Sequence, residues 1–195
     1  MSNVDLGICI KALLGSLDEC GDIAVVEKYE NQCFIALIDV LGHGQEAREV
    51  ALLAKKYLEN NYRNDLVDIM NGLHCHLKGT RGAVAAMCHF HILTGEFNYV
   101  GVGNITVRVF GVKNLRLIPK GGVVGYMMTN PKKHTIRLHP DDTVLIHSDG
   151  IREHFDILQC SGLLKENSES AAREIVRKFG RKTDDISCVV LKYLV

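Results

Sequence analysis

Four aspartates stand at the ends of apolar, strand-like runs: Asp22 in Cys20-Gly21-Asp22, Asp39 in Ile38-Asp39-Val40-Leu41-Gly42-His43-Gly44, Asp149 in His147-Ser148-Asp149-Gly150, and Asp184 in Thr183-Asp184-Asp185-Ile186-Ser187. A carboxylate at a strand end is placed by rigid backbone yet can face solvent. Several such carboxylates converging build an oxygen-rich site suited to hard divalent cations such as Mg²⁺ or Mn²⁺. The chemistry this pattern points to is metal-assisted hydrolysis.

The segment Asp39 to Gly44 is the richest. Phe34-Ile35-Ala36-Leu37-Ile38 delivers Asp39 to a strand end, and Gly42 and Gly44 permit a tight turn with positive φ. In such a turn the Val40 carbonyl can face the same way as the Asp39 carboxylate, so one loop offers a charged and a neutral oxygen. The plainer alternative is a glycine turn in which Asp39 caps the following helix. Taken singly, Ser148-Asp149-Gly150 and Asp184-Asp185 could equally be turn chemistry. Strand-end acids at several independent places are harder to explain that way.

Other conspicuous residues carry less. His43, between two glycines, either helps protonate a leaving group or fills the turn. His74-Cys75-His76 and Cys88-His89-Phe90-His91 have zinc-like spacing, but positions 74 and 76 point to different faces of a helix, and no second regular ligand pair accompanies either. Arg81 suits a bidentate phosphate contact, although a structural ion pair is the simpler reading. Gly101-Val102-Gly103-Asn104 is too short for a dinucleotide fingerprint and reads as a tight turn. Lys132, Lys133 and Arg137 form a small basic patch. Residues 119–133, with Gly121, Gly122, Gly125 and Pro131, look irregular and suit a substrate-facing flap.

The elements that must position these residues follow from periodicity. Strands are expected at Val4 to Ile10, Ile23 to Val26, Cys33 to Val40, Ala83 to Ile92, Glu96 to Val102, Ile105 to Phe110, Leu115 to Ile118, His134 to Leu138, Thr143 to His147 and Ile186 to Leu194. Helices are expected from Gln45 to Asn61, from Leu66 to Leu77 behind an Asp65 N-cap, and from Glu169 to Phe179 with Gly180 as the stop. Hairpin-spaced strands with helices inserted in two places predict a mainly antiparallel α+β layered fold rather than a parallel βαβ array.

The bulk properties narrow the class. A chain of 195 residues suits one domain spanning 1–195. Its 23 basic and 23 acidic side chains cancel, which argues against a nucleic-acid binder. No apolar run approaches the roughly 20 residues needed to span a bilayer, and the first residues lack signal-peptide character. The seven cysteines are odd in number and lie mostly in apolar runs, as buried reduced thiols of a cytoplasmic protein do.

Read in order, Gly21-Asp22, Asp39-Val40-Leu41-Gly42-His43-Gly44, Thr80-Arg81-Gly82-Ala83, Gly101-Val102-Gly103-Asn104, Ser148-Asp149-Gly150-Ile151 and Asp184-Asp185-Ile186-Ser187 resemble the metal-dependent protein phosphatase (PPM) superfamily in its small bacterial SpoIIE-like branch. Each motif is modest; the ordered set, covering most of the chain, is specific. The resemblance implies a sandwich of two antiparallel β-sheets flanked by helices, with two divalent cations, Mn²⁺ or Mg²⁺, at one end. By motif, Asp39 would bridge both ions and Val40 would give a backbone carbonyl to one. Asp149 and Asp184 would complete the other shell, with the adjacent Asp185 the alternative to Asp184. Asp22 would act mainly through an intervening water. Asp39 and Asp149, with His43 beside them, would be the catalytic groups.

The implied reaction is attack of an activated water on phosphoserine or phosphothreonine, with no phospho-enzyme. No Cys-x5-Arg signature suggests a cysteine phosphatase instead. The compact length and the absence of a sensor domain place the resemblance nearest the phosphatases that reset the stressosome, so phosphorylated stressosome scaffold proteins in a sigma-factor pathway are the expected partners and a monomer the expected state. The alternatives are a non-catalytic phosphoprotein-binding module of this fold and a hydrolase of small phosphoesters.

Overall fold

A computed structural model describes residues 4–152, 162 and 165–194. In chain order the elements are β1 (Val4–Lys11), β2 (Asp22–Tyr29), β3 (Gln32–Val40), α1 (Gln45–Asn61), α2 (Leu66–His76), β4 (Ala83–His91), β5 (Glu96–Val102), β6 (Thr106–Phe110) and β7 (Leu115–Leu117). There follow β8 (Gly122–Val123), β9 (Met127–Met128), β10 (His134–Arg137), β11 (Thr143–His147), α3 (Ser168–Phe179) and β12 (Ile186–Tyr193). One sheet runs β10-β5-β4-β3-β2 and the other β1-β12-β11-β6-β7, with neighbouring strands antiparallel throughout. The expected α+β sandwich is the observed architecture.

Side-chain alternation explains the layering. Along β3, Cys33, Ile35 and Leu37 face the opposite sheet, where they meet Val107, Val144 and Val189. The alternate positions Phe34, Ala36 and Ile38 turn outward and are covered by α1 and α2. Both faces of β3 are thus buried, which is why it reads as a continuous apolar run and not as an alternation. The α1 stripe of Ala47, Val50, Ala51, Ala54 and Leu58 is mostly small, so the helix lies close on the sheet. On the other side, α3 seats Ala171, Ala172 and Ile175 against Leu145, Cys188 and Val190. A fully buried side chain such as Ile35 contributes about 1.5–3 kcal/mol through removal of apolar surface from water.

Helix ends carry the expected signals, with two differences. The Asp65 carboxylate accepts from Val67 N at 2.8 Å. Helix α3 begins one residue earlier than its apolar stripe suggests, because Asn167 caps it by accepting from Ser170 N at 2.8 Å. Gly180 does end α3, but in extended backbone with φ −63° and not in the left-handed conformation usual for such a stop. Close approach explains glycine there: a Cβ would lie 2.5 Å from Val176 O.

Residues 119–133 differ from the irregular flap expected. Strands β8 and β9 form a small hairpin tied down at several points. Ala83 and Val124 exchange backbone hydrogen bonds of 2.9 and 2.8 Å, Lys120 N donates to Gly101 O at 2.8 Å, and Gly125 N donates to His74 Nδ1 at 3.0 Å. His74 is therefore occupied as a structural acceptor. His89 Nε2 is likewise engaged, 2.6 Å from Tyr62 O.

Candidate metal centre

The two sheets end together, and the strand parity that builds the core also builds the site. Asp22 lies directly across from Asp39 in the β2–β3 register. Asp22 follows Ala24 and Val26 onto the inter-sheet face, and Asp39 follows Ile35 and Leu37. From the facing sheet, Ser148 follows Val144 and Ile146, and Ser187 follows Val189 and Leu191. Ser148 N donates to Ser187 O at 3.1 Å and Ser187 N to Ser148 Oγ at 3.0 Å, which fastens the ends of β11 and β12. The apolar core thus terminates in two acids on one sheet and two serines on the other.

Burial and like charge shape the acids. Asp22 is 1% exposed, and its Oδ2 has no hydrogen-bond partner. Its carboxyl is pushed up to about 7, first by burial. The Ser187 and Ser148 hydroxyls oppose that rise through proximity, and the charges of Asp185 and Asp184 add to it. No hydrogen bond of good geometry reaches Oδ2 from either serine, so proximity alone describes that contact. Asp39 is raised further, to about 9, by burial and then by the charges of Asp22, Asp149 and Asp184. Asp184 is raised by burial and by Asp149 and Asp185, while the Asp185 amide and His43 work against the rise. Strand-end acids far apart in the chain therefore lie within one another's field.

The neighbouring aspartates 184 and 185 separate in role. Asp185 is 4% exposed, and both its oxygens accept backbone amides: Oδ1 from Leu13 N at 2.8 Å and Oδ2 from Gly21 N at 2.7 Å. Asp184 is half-buried and uses Oδ1 to accept from the Asp185 amide at 2.9 Å. The diverted Gly21 amide matters for Val40. Val40 N donates to Gly21 O at 3.3 Å, but the return bond is not made because Gly21 N turns to Asp185. On the other side, Ala83 N donates to Val124 O. The two amides flanking Val40 are thus engaged elsewhere, and its carbonyl is not consumed by the sheet.

The loop after β3 behaves as the glycines require. Gly42 and Gly44 have φ of +82° and +85°, and His43 is exposed between them. The N-cap of α1 is Gly44, without a side-chain cap, so Asp39 does not cap that helix. Arg81 pairs with Glu46 at 2.6 Å and spans the loop so closely that a Cβ on Gly42 would lie 2.8 Å from its Nη1. This is the structural ion pair expected of Arg81.

Asn104 was not singled out by its sequence context. The turn after β5 carries it to the site, where Nδ2 donates to Asp149 Oδ2 at 2.8 Å. Its place as the last residue of Gly101-Val102-Gly103-Asn104 in the ordered motif set was the available signal.

The donor set is all oxygen and predominantly anionic, which fits Mg²⁺ or Mn²⁺ and not zinc. The orphaned Asp22 Oδ2 and the unrelieved repulsion around Asp39 are the features a cation would satisfy. The acids form an open cluster and not a finished cage: among the described residues, no three His, Cys, Asp or Glu side chains close on one point in ligand fashion.

The six cysteines among the described residues are free thiols, and Cys160 lies outside those residues. Burial pushes Cys20 up to about 12 and Cys33 up to about 11, so neither is poised as a thiolate.

Known proteins share this arrangement of sheets and helices. A structure described in work on the bacterial stressosome as a modular system adapted to control secondary messenger signalling is 32% identical, with a TM-score of 0.90, over 98% of this chain and 100% of that one. RsbX in complex with magnesium matches with a TM-score of 0.85 at 22% identity, over 98% of this chain and 96% of that one. The PP2C phosphatase domain of SpoIIE from Bacillus subtilis, with a fragment of its regulatory domain, matches with a TM-score of 0.74 at 17% identity, over 98% of this chain and 63% of that one. Comparison with curated protein sequences finds no match. The family model for stage II sporulation protein E matches residues 29–194. With that match across most of its length and the PP2C architecture, the chain belongs to the SpoIIE family.

Proposed function

We propose that this protein is a metal-dependent serine/threonine phosphoprotein phosphatase. The observation that carries the reading is the Asp22–Asp39 pair, the first buried with an orphaned oxygen and the second half-buried, set within the field of Asp149 and Asp184. A binding module would gain nothing from concentrating repelling acids at the end of its core.

Asp39, the Val40 carbonyl, Asp149 and Asp184 would hold two divalent cations, Mn²⁺ or Mg²⁺, with Asp22 acting through an intervening water. Bound there, the ions would supply Lewis acidity toward the phosphoryl oxygens and toward an attacking water. The chain's own groups do the positioning. Asn104 fixes the rotamer of Asp149 through its 2.8 Å bond. Asp185 holds Gly21 away from Val40 and so keeps that carbonyl available. His43, exposed in a glycine turn and within the field of Asp184, is placed to hand a proton to the departing serine or threonine oxygen. The buried thiols take no part.

The substrates would be phosphorylated stressosome scaffold proteins in a bacterial sigma-factor pathway. Support comes from the stressosome context of the 32%-identical structure and from the likeness to RsbX. Free thiols at every described cysteine accord with a cytoplasmic site of action, and no helix among the described residues is long and apolar enough to cross a membrane.

The direct test is phosphate release from a phosphoserine protein with Mn²⁺, before and after chelation. Release should stop with chelator and return with added Mn²⁺. Asp39→Asn should lower turnover on the order of 10³-fold while the chain stays folded. Turnover that survives complete metal removal would overturn the mechanism.

A further inference from the structure

The acid cluster is bordered by two clefts whose charged rims have the opposite sign. The first, about 330 Å³, is lined by Asn104, Ile105, Arg116, Pro119, Asp149 and Arg181 among others. The second, about 210 Å³, is lined by Lys11, Leu13, Arg181, Lys182 and Asp184 among others. Each cleft therefore contains one acid of the metal centre, Asp149 in the first and Asp184 in the second. The remaining charged side chains lining them are basic. Arg181 belongs to both.

This local excess is not a reflection of the whole chain, whose formal charge is zero. Nor is Arg181 loosely placed. Its amide donates to Gly150 O at 2.7 Å, next to Asp149, and Gly180 bridges to Ile151. Arg116 stands on β7, in register with Arg108 of β6. The guanidinium groups remain charged at any working pH.

The first cleft is larger than a lone oxyanion needs and sits at the lower end of the range for organic ligands. Ile105 and Pro119 give it an apolar wall. This combination suits a side chain with methylenes and a terminal anion, not a free ion. The clefts adjoin at Arg181 and each includes one acid of the cluster, so a chain whose phosphorylated residue sits at the acids has basic side chains near its flanks.

We propose that the two clefts select phosphorylated segments whose residues flanking the phosphoserine or phosphothreonine are anionic, and that Arg181, shared by both clefts, is the main specificity-determining residue. The anion is a carboxylate or a second phosphate; both present the same oxygens to a guanidinium. The inference rests on the phosphoprotein reading above, but it concerns recognition and is tested without turnover.

The test is fluorescence anisotropy with Mn²⁺-loaded protein and labelled peptides of one length that carry the non-hydrolysable phosphonate analogue of phosphoserine. The flanks are aspartate, glutamine or lysine, and in a fourth peptide a second phosphonate residue. Aspartate flanks should bind about three- to tenfold tighter than glutamine flanks, and the doubly phosphorylated peptide at least as tightly. If the doubly phosphorylated peptide alone is favoured, phosphate is the anion read; if aspartate is equally favoured, either source serves. The preference should shrink at high salt, because the pairs are solvent-exposed. Arg181→Gln should reduce the ratio toward one, and Arg181→Glu should shift it toward lysine flanks, with folding checked by circular dichroism. Equal binding of the aspartate, glutamine and doubly phosphorylated peptides, or a preference untouched by Arg181→Glu, would overturn the proposal. Absence of phosphate release with the acidic preference intact would instead remove the hydrolytic reading and leave the clefts standing.

Discussion

The two ends of β11 carry aspartates in opposite situations. At its start, Asp142 is 3% exposed, and both its oxygens are satisfied: Oδ1 accepts from Val112 N at 2.9 Å and Oδ2 from His139 N at 2.8 Å. Beyond its other end, the charge of Asp149 acts on Asp39 and Asp184, and the buried, half-orphaned Asp22 lies in the same cluster. Burial is equal for Asp142 and Asp22; the partners are not. A carboxylate met by amides is a tie between loops, whereas carboxylates that meet one another are held apart from a stable charge state until something positive arrives. Asp185 shows that position alone does not decide. It lies at the site end, yet its two amide bonds make it a tie like Asp142.

The largest effect expected from this contrast is in the pH dependence of stability without metal. Asp22 and Asp39 rise from an ordinary 3.8 to about 7 and about 9. The native state therefore holds more protons than the unfolded chain above pH ~4 and up to those values. With more protons bound in the folded form, stability falls as pH rises through that window. Divalent cations should cancel the fall by holding the ionised acids. Denaturation midpoints measured from about pH 5 to about pH 8 with chelator should drop by several kcal/mol equivalent, with Mn²⁺ stabilisation growing over the same range. Asp39→Asn should flatten the metal-free slope. A metal-free protein that grows more stable with rising pH would mean that neither burial nor mutual repulsion holds these acids protonated.

Next in size is the opposite end. Asp142→Ala leaves two amides without acceptors and should cost about 2–4 kcal/mol in chemical denaturation. The turnover of the molecules that remain folded should be that of the parent. If Asp142→Ala instead weakens Mn²⁺ activation, the two ends are not independent.

How far the sequence shows these differences depends on the range of the force involved. The sandwich was legible because alternation along β3 and the helical stripe of α1 are local patterns that packing then obeys. Asp22, Asp39, Asp149 and Asp184 were legible as strand-end acids in an ordered motif set. The division of labour between Asp184 and Asp185 was not, because it is decided by Leu13 and Gly21, amides more than 160 residues away in the chain. The anchored hairpin of β8 and β9 is not legible in the sequence for a related reason. Its glycines suggest freedom, but Ala83 and His74 hold it from outside the segment. Asn104 was hidden inside a glycine turn whose local explanation was sufficient by itself.

Asn104 gives the smallest and most discriminating expectation. It is exposed, and its one bond to Asp149 Oδ2 is worth little to the fold. Its value lies in restricting Asp149 to the rotamer that faces Asp39 and Asp184. Asn104→Ala should therefore leave the thermal midpoint nearly unmoved while lowering kcat about tenfold and raising the Mn²⁺ concentration needed for half-activation. Asn104→Asp should be worse, because it replaces a donor to Asp149 with a like charge at the same place. The pair separates positioning from bulk electrostatics. Were Asn104→Asp to bind Mn²⁺ more tightly and turn over as well as the parent, added negative charge would matter more than the orientation of Asp149. The distinction between acids that are tied and acids that are aimed would then fail at the residue where it should be clearest.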